Sequence, residues 1–140
     1  MKKIVAALAA ITILSASTCK EGGSTATIAD LAGKQWTLES LGGEAVSMAD
    51  GAKLPWIKAD AESGKVEGFG GCNTLMGSFK LDGSNLSFPG LGGTKMMCPA
   101  VQETENKFKA ALSETTAFKL DGNTLKLLNG AKEVAALVAK

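Results

Sequence analysis

The chain has 140 residues, with fifteen lysines, no arginine, fourteen acidic residues and neither histidine nor tyrosine. That length fits one domain and a leader. A near-neutral chain without a basic run offers no nucleic-acid groove, and without histidine most hydrolytic layouts and zinc sites lose a key part.

Lys2 and Lys3 precede an eleven-residue apolar run, Ile4 to Leu14. That run is too short for a bilayer, which needs about 20 residues as a helix. Ser15, Ala16, Ser17 and Thr18 follow, and then Cys19. Basic, apolar and small residues in that order read as an export signal, assigned to residues 1–18. Two processing routes fit. Small residues before a cysteine resemble the bacterial lipobox, at which the cysteine is acylated. Ala16 and Thr18 stand where an aliphatic residue and a glycine or alanine are usual. The other route is ordinary cleavage after Ser17. Residues 19–26 read as a flexible tether. A lipid on Cys19 would hold the protein on a bacterial membrane, on its periplasmic or surface side. Without the lipid it would be soluble in the periplasm or secreted. Loss of Lys2 and Lys3 leaves thirteen basic residues against fourteen acidic ones.

Residues 27–140 read as one β-rich domain, punctuated every eight to twelve residues by glycine with asparagine or aspartate. Gln35 to Leu41 alternates, with Trp36, Leu38 and Ser40 on one side. Strands at Trp56–Asp60 and Lys65–Phe69 flank a turn at Ala61–Gly64. Strands at Ser78–Leu81 and Asn85–Phe88 flank Asp82-Gly83-Ser84. Strands at Phe118–Leu120 and Thr124–Leu128 flank Asp121-Gly122-Asn123. Val134 to Val138 fits a last strand or a helix. Between them, Pro99 to Thr115 carries a helical pattern, with Val101, Thr104, Phe108, Ala111 and Leu112 at three- and four-residue steps. Pro99 suits its first turn, and Glu103 and Glu105 favour the positive end of its dipole.

Cys72 and Cys98 are an even pair in an exported chain, which reads as a structural disulfide. A redox pair and free thiols are the alternatives, and a metal site lacks ligands. Asn73 reads as a residue that holds a turn through its side chain. Gly90 to Lys95 lacks the spacing of a phosphate loop and reads as an edge or loop. Met76, Met96 and Met97 read as core fill, or as the lining of a soft apolar pocket.

The spacing Gly71-Cys72-Asn73, Gly77, Phe79, then Thr94-x-Met96-x-Cys98-Pro99, with Glu105 and Phe108 beyond and Trp36-x-Leu38 ahead, resembles the META domain family of HslJ-like proteins. The chain departs from the family pattern at Thr74, Phe79 and Lys95. The resemblance covers about 110 residues and implies a compact antiparallel sheet curved into an open barrel, with one helix packed on it. Members are associated with heat response, motility and secretion, usually without a known reaction. The resemblance and the export signal together lead to one expectation: a non-catalytic binding or accessory module of the envelope, stress-linked and without a cofactor. Its partner would be an envelope protein, a peptide or a lipid-like ligand. A structural protein that stabilises the envelope and a thiol-redox factor using Cys72 and Cys98 are the alternatives.

Overall fold

The computed structural model describes residues 26–140; the expected export signal at 1–18, the expected lipid site Cys19 and the rest of the expected tether up to residue 25 lie outside the described residues. In chain order the elements are α1 (Ile28–Leu31), β1 (Gln35–Leu41), β2 (Glu44–Ala45), β3 (Trp56–Asp60), β4 (Lys65–Phe69), β5 (Thr74–Ser78), β6 (Lys80–Asp82), β7 (Asn85–Ser87), β8 (Gly92–Gly93), α2 (Gln102–Glu114), β9 (Ala117–Asp121), β10 (Thr124–Asn129) and β11 (Lys132–Ala139).

The strands form one sheet in the order β6-β7-β9-β10-β11-β1-β3-β4-β5-β8, with β2 paired beside β1. Every pairing is antiparallel, and short hairpins join β3 to β4, β6 to β7, β9 to β10 and β10 to β11. Only Phe79 separates β5 from β6, which stand near opposite ends of that order. The chain therefore ties the two ends together and curls the sheet into a half-barrel. The β6–β7 and β9–β10 turns hold Gly83 and Gly122 at φ +59°, the left-handed region that a two-residue turn demands.

Alternation puts Trp36, Leu38, Ile57, Val66, Leu75, Leu125, Leu127 and Leu137 inside the curl, all at most 4% exposed. A bulge between Leu38 and Ser40 ends the alternation before Ser40 is reached. The α1 turn closes one end: Leu31 is buried, and the Trp36 indole donates to the Leu31 carbonyl at 2.8 Å. Helix α2 lies against β1, β7, β10 and β11 and buries Glu105, Phe108, Ala111 and Leu112. Among these aromatic and aliphatic side chains the barrel interior keeps a void of only about 10 Å³, bounded by Leu31, Trp36, Phe79, Leu86, Phe88 and Leu125. A space of that size sits at the lower limit for one water molecule.

Three sequence expectations change. The helix starts at Gln102, not Pro99, because residues 98–101 form a turn closed by the Val101 amide on the Cys98 carbonyl. The expected strand at 78–81 is divided at Phe79, where the chain passes from β5 to β6. The three methionines are not core fill. Met76, Met96 and Met97 are 59%, 56% and 83% exposed: Met76 alternates with buried Leu75 onto the outer face of β5, and the segment that carries Met96 and Met97 continues from β8 at the edge of that strand. Val134 to Val138 is strand, within β11.

Candidate functional site

The motif residues converge where the β4–β5 bend, the segment between β8 and α2, and the first turns of α2 meet. Gly70, Gly71, Cys72 and Asn73 make the bend, which the Gly70 amide closes on the Asn73 carbonyl at 2.8 Å. Gly71 takes φ +117°, and a Cβ built on Gly70 would lie 2.7 Å from Cγ of Glu105. Both positions therefore need glycine. The bend turns two successive amides the same way. Those of Cys72 and Asn73 donate to Oε2 of Glu105 at 3.0 and 2.6 Å, a concave pair of N–H groups suited to an anion.

Glu105 has no exposed surface. Its other oxygen, Oε1, accepts from Asn73 Nδ2 and from Lys109 Nζ, both at 2.7 Å. It also stands in the first turn of α2, where the helix dipole favours a negative charge. Burial alone pushes this carboxyl up. The bonds from Lys109, the Asn73 side chain and the Asn73 and Cys72 amides outweigh burial and hold it at about 2. It is a carboxylate at any ordinary pH, with both oxygens occupied.

Asn73 is 2% exposed and uses its whole side chain. Nδ2 donates to Glu105 and, at 3.1 Å, to the Met96 carbonyl. Oδ1 accepts from the Met96 amide at 2.6 Å and from the Thr94 hydroxyl at 2.9 Å. Two donors and two acceptor positions are thus all filled. Thr94 completes the seam: its hydroxyl accepts the Thr74 amide at 3.1 Å, and its own amide donates to the Thr74 carbonyl at 3.2 Å. The spacing Thr94-x-Met96 is the spacing at which one hydroxyl and one backbone amide reach the same asparagine oxygen. Two residues further, Cys98 is bonded to Cys72, with Cα atoms 5.9 Å apart. Pro99 is exposed in the turn before α2. Gly77 lies under Leu91, whose Cδ2 would come within 3.0 Å of a Cβ there.

The structure therefore gathers Gly71, Cys72, Asn73, Thr94, Met96 and Cys98 into one clasp and leaves Gly77 and Pro99 at its margins. Glu105 is its centre. Read from the sequence as an acid suited to the helix dipole, it faces inward with Val101, Phe108 and Leu112. A spacing of four, three and four residues along the apolar face was the available signal. Among the described residues, no three His, Cys, Asp or Glu side chains form a group that could hold a metal. A surface groove of about 650 Å³ lies outside the barrel over β3–β5, lined by Lys58, Asp60, Glu62, Lys65, Glu67 and Met76.

The family model for the META domain matches residues 29–140. Two solved structures determined by NMR are each 27% identical. One covers 81% of this chain and 95% of its own, with a TM-score of 0.63. The other, from Burkholderia xenovorans, covers 79% and 83%, with a TM-score of 0.61. A crystal structure of a DUF4847 family protein from Bacteroides vulgatus shares the fold at 20% identity and a TM-score of 0.55, over 77% of this chain and 93% of its own. No curated protein matches the chain.

Proposed function

The chain belongs to the META domain family, and we propose that it is a non-catalytic binding or accessory module of the bacterial envelope, held on a membrane through an acylated Cys19. One observation carries the reading: the polar groups of the family motif are occupied in holding backbone. Both oxygens of Glu105 and all four hydrogen-bonding positions of Asn73 are filled from within the chain, and Cys72 and Cys98 are joined to each other. A general base needs a free lone pair and a reachable proton, and a nucleophile needs an open face. The clasp offers neither, so the motif works as architecture that fixes one edge of the sheet.

The filled interior directs binding to the outer surface. The Cys72–Cys98 disulfide supports export, since such bonds persist in oxidising compartments.

Expression of the full chain in a bacterial host tests the anchor. The mature protein should begin at Cys19, carry the mass of its acyl chains and enter the detergent phase; Cys19→Ala should block maturation or leave the protein in the aqueous phase. A mature terminus at Thr18 without added mass overturns the membrane-held reading.

A further inference from the structure

The last strand of the sheet, β8, differs from the strand at the other end of the order. There, β6 carries Lys80 and Asp82, the kind of charged residues that keep sheet edges from pairing with other chains. β8 is Gly92–Gly93, and from Ser87 to Thr94 the chain has no charge at all. Every residue from Gly92 to Met97 is exposed. A Cβ built on Gly92 would meet nothing within 4 Å, so its outer side is open. Met76 pairs with Gly92 across the ladder, and Met96 and Met97 follow four and five residues on. Three exposed thioethers thus flank an uncharged glycine strand. Between them stands Lys95, which makes no ion pair among the described residues. This edge is also rigid, since Thr94 and Met96 are pinned to Asn73 and Cys98 to Cys72.

We propose that this edge docks an extended polypeptide segment of a partner protein, apolar in character and bearing an acidic residue, which joins the sheet as a further strand outside β8. The proposal deepens the binding-module reading and rests on it. Main-chain bonds would form at Gly93 and Lys95, since Thr94 and Met96 between and beyond them spend their amides on Thr74 and Asn73, and the unbranched thioethers would adapt to the side chains of the incoming strand. Lys95 would meet the carboxylate. The size of the patch decides against a permanent second copy. The three thioethers and the glycine pair offer on the order of 400 Å², about half of what each partner buries in a stable protein–protein interface. That is the size of a functional surface patch on a monomer, and it suits a short strand.

The test titrates the full chain, labelled with ¹³C at its methionine methyls, with a blocked synthetic nonapeptide of alternating valine and threonine carrying one central glutamate. Met76, Met96 and Met97 should shift together, while Met48 stays in place. The Gly93 amide should exchange roughly tenfold more slowly when a strand covers it. A peptide with lysine in place of the glutamate should bind about threefold more weakly, the effect of one exposed charge pair. Met97→Lys, at an 83% exposed position, should weaken binding roughly tenfold by replacing a thioether of the apolar edge with a second charge. Shifts elsewhere, or none up to about 1 mM peptide, overturn the proposal. So do methyl shifts that depend on protein concentration alone, which mean a second copy. Shifts caused by phosphatidylcholine vesicles and not by the peptide mean a membrane face and overturn it too. None of these outcomes alters detergent partition, so the anchor and the docking edge fail separately.

Discussion

Glu105→Gln changes almost no volume, yet it removes a buried charge and turns one acceptor into a donor. In the native chain Oε2 takes the Cys72 and Asn73 amides, and Oε1 takes Asn73 Nδ2 and Lys109 Nζ. A glutamine can keep its oxygen on the two backbone amides, but its NH2 group then faces two other donors. Hydrogen bonds to a charged group contribute about 1.5–3 kcal/mol each. Lys109, with 37% of its side chain exposed, can turn to water. Asn73, 2% exposed, cannot. The two amides also lose the charge they were bonded to. The expected loss is about 3 kcal/mol, within the range for breaking a buried ionic contact, from a total on the order of 5–15 kcal/mol. Urea unfolding at pH 7, followed by the fluorescence of buried Trp36 with the disulfide intact, measures it. The pH limb gives an independent reading. The folded carboxyl sits at about 2 against an ordinary 4.5. The unfolded chain therefore takes up the proton first as pH falls. The Glu105 contribution is complete above about pH 4.5 and is lost between there and about pH 2. The variant should lack that part of the acid limb. It keeps the part from Asp30, Asp60 and Glu103, which the Thr27 amide, the Glu62 amide and Lys107 hold low. A loss below about 1 kcal/mol, the value of one ordinary neutral hydrogen bond, with an unchanged acid limb, would refute the reasoning.

The exported protein should show no free thiol at Cys72 or Cys98, and replacing both with serine should cost ~2–4 kcal/mol in the same urea assay. Asn73→Asp places a second carboxylate where Nδ2 now meets Oε1 of Glu105 at 2.7 Å. It should destabilise more than Asn73→Ala at pH 7, and lowering the pH should narrow the gap between the two variants in thermal melts. Gly70→Ala forces a methyl against the Glu105 stem, with an expected cost of about 1–3 kcal/mol and a matching drop in melting temperature.

Most of the sheet was legible because turn chemistry is local. The glycines at positions 64, 83 and 122 mark three hairpins, and strands β1, β3 and β4 fall where alternation puts them. What failed depended on contacts distant in sequence. The start of α2 is set by the turn that follows the disulfide, which helix periodicity does not contain. The methionines look like core fill by composition, but Gly92 and Gly93 bring the segment of Met96 and Met97 onto the edge of β5, and Met76 falls on that strand's outer face. Asn73 was legible as a residue that bonds backbone. Its partners, 21 to 32 residues away, were not. Glu105 stood in the family pattern, but its burial was hidden by its type, because an acid on an apolar face reads as exposed until its partners are known.

Native-state amide exchange at Met96 tests the clasp most directly, because its N–H reaches only Asn73 Oδ1 from an otherwise exposed segment. In the wild-type protein that amide should be protected as strongly as the Asn73 and Cys72 amides on Glu105, and Glu105→Gln, which weakens the whole network, should lower the protection of all three together. A Met96 amide that exchanges like an open loop, or one whose protection survives Glu105→Gln while Asn73 and Cys72 lose theirs, would contradict a clasp that acts as one unit.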